Sequence, residues 1–305
     1  MKIVVFADVH YFGGDFEKAK FNKEKKLVKY AVPLMERLVD TVNSDNIDAC
    51  VNLGDLIQDV QDKQRDVECL KLMFEKIDRM NCPCYSVFGN HDLKAMDSIA
   101  EFEEAMGCKT TFSLDSGGYH FVFLTTELRP ELGLARGGCY KAQYLSAETL
   151  EWLKADLERN NLPCVIFTHY AIAEDESIQD ECMFMKNRAD VKKIINNDKN
   201  VLAVFSGHLH ITKELEENGL KYYLLGSMTA CGETPGVPTG VYFELDLCDN
   251  KLTVTEKILS CKKGCIGKFA DTALKLSILN YFSSSGCSDV QCGQRVAVMS
   301  ILLLQ

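Results

Sequence analysis

The chain has 305 residues, of which 47% are hydrophobic and 26% are charged. This composition is typical of a globular protein, and the length favours one large α/β domain, with or without an appendage, over two equal domains. The net charge of -10 argues against a general affinity for nucleic acid or anionic membrane, because both attract basic surfaces. A small polyanionic substrate is compatible with this charge, since bound cations reverse the field locally.

The sequence shows no pattern typical of a signal peptide or a membrane span. The first apolar run, Ile3–Ala7, is interrupted at once by Asp8. The apolar run Val296–Leu304 has about half the length that a membrane-spanning helix needs. We therefore expect a soluble, cytoplasmic protein with no membrane partner.

The chain contains 14 cysteines, scattered through apolar runs and loops. Without a signal peptide, reduced thiols that fill core positions are the expected state. The last four cysteines of the sequence are Cys261, Cys265, Cys287 and Cys292. Neither pair has the two-residue gap usual for structural zinc, so the pattern does not favour a zinc site.

Seven apolar runs predict buried strands along the chain. In chain order they are Ile3–Ala7, Ala49–Leu53, Tyr85–Phe88, Phe121–Thr125, Val165–Thr168, Leu202–Phe205 and Tyr222–Leu225. Between them, apolar residues at helical spacing predict four helices, at Lys25–Val42, Asp62–Met80, Ala147–Arg159 and Ala189–Asn197.

Local signals refine these elements. Pro33 lies inside the first predicted helix, where a proline favours a kink or a later start. Ser146 is expected to be the N-cap of the third helix, with Glu148 in its first turn. The alternating segments Val241–Leu247 and Leu252–Leu259 flank a turn and predict a β-hairpin.

The alternation of strands and helices predicts a layered α/β fold with a largely parallel or mixed sheet. The late hairpin adds antiparallel strands to it. Beyond Leu259 the periodicity fades, and Lys262–Gln305 shows little pattern apart from its apolar end. We predict a main domain over residues 1–260 and a C-terminal appendage of unknown role over residues 261–305.

Polar residues follow five of the predicted strands, at the point where each strand ends. The five groups are Asp8-Val-His10, Gly54-Asp55, Gly89-Asn90-His91-Asp92, His169 and Gly207-His208-Leu209-His210. The carboxyl ends of strands form the ligand-binding edge of an open α/β sheet, so these side chains are expected to lie together. Five of the six histidines belong to these groups, which packing alone does not explain.

This set of side chains is suited to binding metal ions. Imidazole and carboxylate together favour Mn, Fe or Zn over Mg or Ca, which prefer oxygen ligands alone. The spacings Asp8-x-His10 and His208-x-His210 place two side chains on one side of an extended segment. The candidates exceed the needs of one ion, and two ions that share a carboxylate would use all of them: Asp8, His10, Asp55, Asn90, His169, His208 and His210.

In this order and at these separations, the five motifs resemble the signature of the calcineurin-like metallophosphoesterases. The resemblance extends over about residues 1–260, which it identifies as a catalytic domain. It implies a four-layer α-β-β-α sandwich of two mixed β-sheets, with a dinuclear metal site at the strand ends. The implied activity is hydrolysis of a phosphate ester by a hydroxide that bridges two metal ions.

The resemblance also implies a role for each residue. One metal would be held by Asp8, His10 and His210, and the other by Asn90, His169 and His208, with Asp55 as the bridge. His91 is not a ligand in this scheme but contacts the phosphate and donates a proton to the leaving oxygen. Asp92 is expected to orient the His91 ring.

Residues 138–143 and the following Leu150–Leu153 resemble the cyclic-nucleotide phosphodiesterase-like branch of the family. This likeness favours a small, nucleotide-like phosphodiester as the substrate. A phosphomonoesterase or a nucleotide pyrophosphatase on the same site is the alternative, because the two-metal core serves all three reactions. A non-catalytic metal-binding scaffold and a nuclease are less favoured, since the full residue set is present and no basic groove is evident.

Several neighbouring residues have two interpretations. His120 lies in an apolar strand and is interpreted as a packed core or edge residue. Asp59 is interpreted as a solvated residue at a helix start rather than as a partner of the site. The basic run Lys18–Lys29 is interpreted as a solvated helix face rather than as an attractor of phosphate. Tyr11 and Tyr170 follow metal motifs and could either line the pocket or pack in the core.

Overall fold

A computed structural model describes residues 1–94, 96–127 and 143–259. Within them the strands are β1 Lys2–Phe6, β2 Ala49–Asn52, β3 Cys84–Ser86, β4 Phe112–Ser116, β5 Tyr119–Leu124, β6 Cys164–Thr168, β7 Val201–Ser206, β8 Lys213–Glu217, β9 Leu220–Leu224, β10 Val241–Cys248 and β11 Lys251–Ile258. The α-helices are α1 Ala31–Ser44, α2 Lys63–Ile77, α3 Asn90–Leu93, α4 Ile99–Met106, α5 Ala147–Arg159 and α6 Arg188–Ile195.

The strands form two mixed sheets. The first has five strands in the order β11-β10-β1-β2-β3, and the second has six in the order β4-β5-β6-β7-β9-β8. Strands β1, β2 and β3 run parallel in the first sheet, and β5, β6, β7 and β9 run parallel in the second. The hairpin β10–β11 pairs antiparallel with β1, and the hairpins β4–β5 and β8–β9 make the edges of the second sheet antiparallel. Parallel strands place their carboxyl ends on one side, so the sheet topology fixes one edge for the site.

The two sheets pack face to face, and the alternation of side chains along β1 shows how. Ile3 and Val5 point into a core shared by both sheets, together with Phe167 and Phe205 of the second sheet. Successive side chains of a strand point to opposite faces, so Val4 lies in the other core, against the helices. β1 is therefore apolar on both faces, as its continuous hydrophobic run predicts.

Helices cover the outer face of each sheet. Leu34 and Leu38 of α1 and Leu70 of α2 pack on the first sheet. Leu153 of α5 and Val191 of α6 pack on the second. The result is the four-layer α-β-β-α sandwich of two mixed sheets that the resemblance implied.

The predicted elements agree with the structure in most places. The first long helix starts late, at Ala31, so that Pro33 lies in its first turn, where a missing N–H costs nothing. Ser146 caps α5, its hydroxyl accepting a hydrogen bond from the Thr149 amide. The predicted hairpin is β10–β11, and Asp249 and Asn250 have positive φ in its two-residue turn.

Four of these elements were not predicted from the sequence: the strands β4 and β8 and the helices α3 and α4. The strand β8 reads Lys-Glu-Leu-Glu-Glu and has an edge position, so it has no apolar run to reveal it. Among the described helices, none has both the length and the apolar character needed to cross a membrane. The predicted C-terminal appendage and its four cysteines lie outside the described residues, as does the segment 138–142.

His120 on β5 is a buried residue, as the sequence analysis predicted, and both of its ring nitrogens have carboxylate partners. Nδ1 lies 2.6 Å from Oδ1 of Asp115, and Nε2 lies 2.9 Å from Oδ2 of Asp156. Burial lowers the pKa of His120, but hydrogen bonds and the charges of Asp156 and Asp115 raise it above the ordinary histidine value overall. This histidine therefore joins β5 to α5 most strongly when it is protonated.

A group whose pKa is raised on folding stabilises the protein below its unfolded pKa, and this stabilisation is lost as the pH rises through the folded pKa. We expect His120→Gln to lower the free energy of unfolding more at about pH 6 than at about pH 9, because only the charged ring is attracted to both carboxylates. Urea unfolding of both proteins at the two pH values measures this difference. An equal or larger loss at the higher pH would contradict the interpretation.

Candidate metal centre

The seven residues predicted as metal ligands lie together where β1, β2, β3, β6 and β7 end. Six of them are buried, and His210 is half-buried. Six of them, all but Asn90, belong to three overlapping groups in which the ligand atoms lie within 4.8 Å of one another: Asp8, His10 and His210; His10, Asp55 and His91; and Asp55, His169 and His208. The strand-end positions therefore converge as the sequence analysis expected.

The first group consists of Asp8, His10 and His210. Nε2 of His210 lies 3.1 Å from Oδ1 of Asp8 and 3.0 Å from Nε2 of His10. Nε2 of His10 is 3.6 Å from the same carboxylate oxygen. Two imidazole nitrogens and one carboxylate oxygen thus point at a common centre, which is a suitable donor set for a borderline divalent ion.

The second group consists of Asp55, His169 and His208. Nε2 of His169 lies 3.5 Å from Oδ2 of Asp55. Nδ1 of His169 lies 2.8 Å from the carbonyl oxygen of Leu53, which fixes the ring and directs Nε2 into the site. The ring of His208 packs against Tyr170 with the centroids 4.0 Å apart, so Tyr170 supports this histidine from the core side.

Asp55 lies between the two groups. Its Oδ2 is 4.0 Å from Nε2 of His10, which belongs to the first group, and 3.5 Å from His169 in the second. The other oxygen, Oδ1, accepts a hydrogen bond from the His91 amide. A carboxylate in this position is able to contact two cations at once.

Four buried polar atoms of the site have no hydrogen-bond partner: Nδ1 of His10, Oδ1 of Asn90, Nε2 of His169 and Nε2 of His208. A buried polar atom without a partner costs about 1–3 kcal/mol, so a cluster of them needs an explanation. Two of these atoms, Nε2 of His169 and Nε2 of His208, belong to residues of the second group. The residues present fit two metal ions.

The charge of the site supports the same conclusion. Burial lowers the pKa of His169, but the neighbouring Asp55 carboxylate raises it to about 9. Burial lowers the pKa of His208 well below its ordinary value, and the charge on His169 lowers it further. The Asp55 carboxylate thus attracts positive charge to His169, and a cation bound there would supply that charge in place of the proton.

Several candidate ligands have a strained backbone conformation. Positive φ angles, which L-residues rarely adopt, occur at five of the seven candidate ligands: Asp8, His10, Asp55, His208 and His210. The expectation that the i, i+2 pairs lie on extended segments is therefore wrong. His208 and His210 belong to different groups, whereas Asp8 and His10 belong to the same one. Strain of this kind is typical of functional sites.

His91 lies beside the two groups, and its ring partners differ from the predicted one. Nδ1 lies 2.5 Å from Oδ2 of Asp59, and Nε2 lies 3.2 Å from Nζ of Lys26. Both neighbours were interpreted from the sequence as solvated, and both interpretations are wrong: Asp59 is 7% exposed, and Lys26 is half-buried. In the sequence, the spacing Gly54-Asp55-x-x-x-Asp59 was the signal that could have placed Asp59 near the site.

Asp92 has a different role from the predicted one. Its Oδ2 accepts hydrogen bonds from the amides of Asp55 and Gly89, and its Oδ1 accepts one from Ile57. This fully buried side chain thereby ties the loop after β2 to the loop after β3. The prediction that Asp92 orients the His91 ring is corrected by these contacts, since that position is taken by Asp59.

Burial and charge set the proton affinities next to the metal groups. Burial lowers the pKa of His91, and the ammonium of Lys26 lowers it further, while Asp55 and Asp59 raise it. Burial lowers the pKa of Lys26 against the opposing effect of Asp55 and Asp8. Burial raises the pKa of Asp59, but its hydrogen bond with His91 lowers it below the usual value overall.

The four-layer sandwich, with buried histidines and aspartates at its strand ends, defines a metal-dependent hydrolase. The sequence profile described as calcineurin-like phosphoesterase matches residues 1–212, a range that contains all five motifs. The chain belongs to this family and is a hydrolase that acts on phosphoric esters. Members of the family use a dinuclear metal site.

Several solved structures share the fold at low sequence identity. A dimetal phosphatase from Danio rerio is 16% identical, with a TM-score of 0.68 over 84% of this chain and 95% of that one. The protein TT1561 from Thermus thermophilus is 16% identical, with a TM-score of 0.54 over 83% and 97%. A purple acid phosphatase from yellow lupin seeds is 14% identical, with a TM-score of 0.53 over 84% of this chain and 51% of its own. No curated protein matches the sequence.

Gly89 provides a test of the close packing in this site. A Cβ at this position would lie 2.2 Å from Oδ1 of Asp55 and 2.7 Å from Cε1 of His169. Because neither side chain is free to move, we expect Gly89→Ala to weaken metal binding at least about tenfold and to destabilise the fold by about 1–3 kcal/mol. Calorimetric titration with Mn²⁺ and urea unfolding measure the two effects.

Gly118→Asn is the matched control, because a Cβ at Gly118 meets nothing within 4 Å and asparagine tolerates positive φ. Wild-type metal affinity in Gly89→Ala would show that the loops after β2 and β3 have room to separate.

Proposed function

We propose that this enzyme hydrolyses a small, nucleotide-like phosphodiester with two metal ions of the Mn, Fe or Zn type. The observation that supports this most strongly is the position of Asp55 between two groups of histidine and carboxylate ligands. One ion would be held by Asp8, His10 and His210 and the other by Asn90, His169 and His208, and Asp55 would be shared between them. When bound, the pair supplies Lewis-acid stabilisation of charge at phosphorus and lowers the pKa of the attacking water.

His91 acts as the proton donor to the leaving oxygen rather than as a ligand. Its Nε2 is 4.0 Å from Oδ2 of Asp55, which places the ring at the margin of the site. The ammonium of Lys26 lies 3.2 Å from the same nitrogen and would repel a metal ion there. Asp59 accepts the hydrogen of Nδ1 and holds the ring, so Nε2 remains directed towards the substrate.

The charges around His91 support a diester over a monoester. A monoester carries close to two negative charges at neutral pH, because its second pKa is about 6, whereas a diester carries one. Among the described residues, Lys26 is the cation within hydrogen-bond distance of His91, and the carboxylates of Asp55 and Asp59 lie on either side. The Lys94 ammonium pairs with Asp59, so these side chains carry two positive and two negative charges. Apart from metal ions they therefore offer no surplus positive charge to a doubly charged phosphate.

A phosphomonoesterase or a nucleotide pyrophosphatase on the same site is the second candidate. Two of the similar structures named above are phosphatases, and the residues that hold metals serve either reaction. The overall charge of -10 makes a nucleic acid substrate unfavourable. A non-catalytic scaffold is less favoured, because His91 and every candidate ligand are in place.

The direct test is to measure metal content together with hydrolysis of bis-p-nitrophenyl phosphate and p-nitrophenyl phosphate, with added Mn²⁺ and with chelator. We expect about two metal ions per chain, turnover that chelator abolishes, and faster hydrolysis of the diester. Hydrolysis of the monoester alone would select the second candidate. Neither metal nor turnover would favour the scaffold.

Substitutions separate the role of a ligand from that of a proton donor. His91→Ala should keep both metal ions and lose about 10²–10⁴-fold in turnover, the range typical of general acid catalysis. Asp55→Ala should lose the metal ions as well as the activity, because both groups share this carboxylate. Metal analysis of the purified variants distinguishes the two roles. Loss of metal ions from His91→Ala would mean that His91 is a ligand.

Asp59 is expected to act through His91. Asp59→Asn should reduce turnover about 10–100-fold at unchanged metal content, because an amide holds the ring less firmly than a carboxylate. Asp62→Asn is the matched control, since Asp62 caps α2 and asparagine is an equally good cap. Equal activity of the two variants would show that Asp59 does not orient His91.

A further inference from the structure

We propose that Lys26 is a substrate-binding residue, whose ammonium holds an oxygen of the phosphoryl group next to Nε2 of His91. This inference rests on the proposed function and adds a residue that lies outside the five motifs of the family. It assigns to the site one positive charge that comes from the chain itself rather than from metal ions.

The inference rests on the position of the Lys26 ammonium. Nζ of Lys26 lies 2.9 Å from Oε1 of Gln58 and 3.2 Å from Nε2 of His91. The other side of the His91 ring is occupied by Asp59. Nζ and Nε2 therefore meet at the margin of the metal groups, one from the segment before α1 and the other from α3. The ammonium donates to Nε2 of the neutral ring, and an anionic oxygen that entered between them would accept from Nζ and, from a protonated ring, also from Nε2.

The ammonium is also available for an anion. No ion pair of Lys26 with a carboxylate within 4.0 Å occurs in the described part of the chain, although Asp8, Asp55 and Asp59 contribute to the field around it. An ammonium has three donors, and the two contacts above leave at least one N–H unused. Lys94, by contrast, is paired with Asp59 at 3.4 Å.

The backbone holds Lys26 in place on both sides. Residue 26 forms an antiparallel bridge with Ala230. The Leu27 amide donates to the Thr229 carbonyl oxygen, and the Cys231 amide donates to the carbonyl oxygen of Lys25. The side chain of Lys26 thus starts from a segment that is hydrogen-bonded to the loop after β9, so its reach towards His91 is a property of the fold.

The proposed contact predicts how the enzyme discriminates between substrates. A doubly charged phosphoryl group is attracted to an ammonium more strongly than a singly charged one. Removing the charge at Lys26 should therefore impair monoester hydrolysis and inorganic phosphate binding more than diester hydrolysis.

The test uses Lys26→Met, which keeps the apolar stem, and Lys26→Arg, which keeps the charge. Lys25→Met is the matched control, because Lys25 is an exposed neighbour in the same basic run. For each Mn²⁺-loaded protein we would measure metal content, kcat and KM for the two nitrophenyl esters, and the affinity for inorganic phosphate by calorimetry.

We expect Lys26→Met to retain its metal ions and to bind phosphate at least about tenfold more weakly, with a larger loss of kcat/KM for the monoester than for the diester. Lys26→Arg should recover part of the phosphate affinity, and Lys25→Met should behave as the wild type. Unchanged phosphate affinity in Lys26→Met, or loss of its metal ions, would overturn the inference.

The outcomes also separate this inference from the proposed function. If the wild type hydrolyses neither ester but binds phosphate in a manner that depends on Lys26, the proposed function fails and the binding role stands. If the wild type hydrolyses the esters and Lys26→Met matches Lys25→Met in every measurement, only the role of Lys26 fails.

Discussion

The site depends on one buried carboxylate, that of Asp55. This side chain is 2% exposed and lies within 4.0 Å of imidazole nitrogens from His10, His91 and His169. A buried negative charge is costly unless positive charge surrounds it. The arrangement of histidines around Asp55 is therefore understood best as a shell built to be completed by cations.

The surrounding fold keeps this shell rigid. Asp92 ties together the backbone amides of two loops, and the glycine at 89 lets those loops approach more closely than any side chain would permit. Left-handed residues such as Asp8 and His208 occupy conformations that only a well-determined environment maintains. The packing of the two sheets behind the site supplies that environment. The free energy gained by this packing offsets the strain of the backbone at the strand ends.

The margin of the site is organised differently from its centre. There the ring of His91 is held between the carboxylate of Asp59 and the ammonium of Lys26, so its two nitrogens meet opposite charges. Such an arrangement fixes the direction of the ring and brings a cation next to Nε2. In the proposed scheme, metal ions at the centre and the ammonium at the margin would both contribute to binding a phosphate.

The sequence by itself determined nine of the eleven described strands, including the late hairpin, and the seven candidate ligands. Periodicity reveals buried strands, and parallel strands bring their ends to one edge. It did not determine which carboxylate meets His91, nor that Lys26 reaches it. Lys26 and His91 are 65 positions apart, and Asp59 and His91 are 32 apart. Such contacts depend on how separate loops fold over one another. Asp92, although next to His91 in sequence, instead binds backbone amides, because only the tertiary structure decides where an adjacent side chain points.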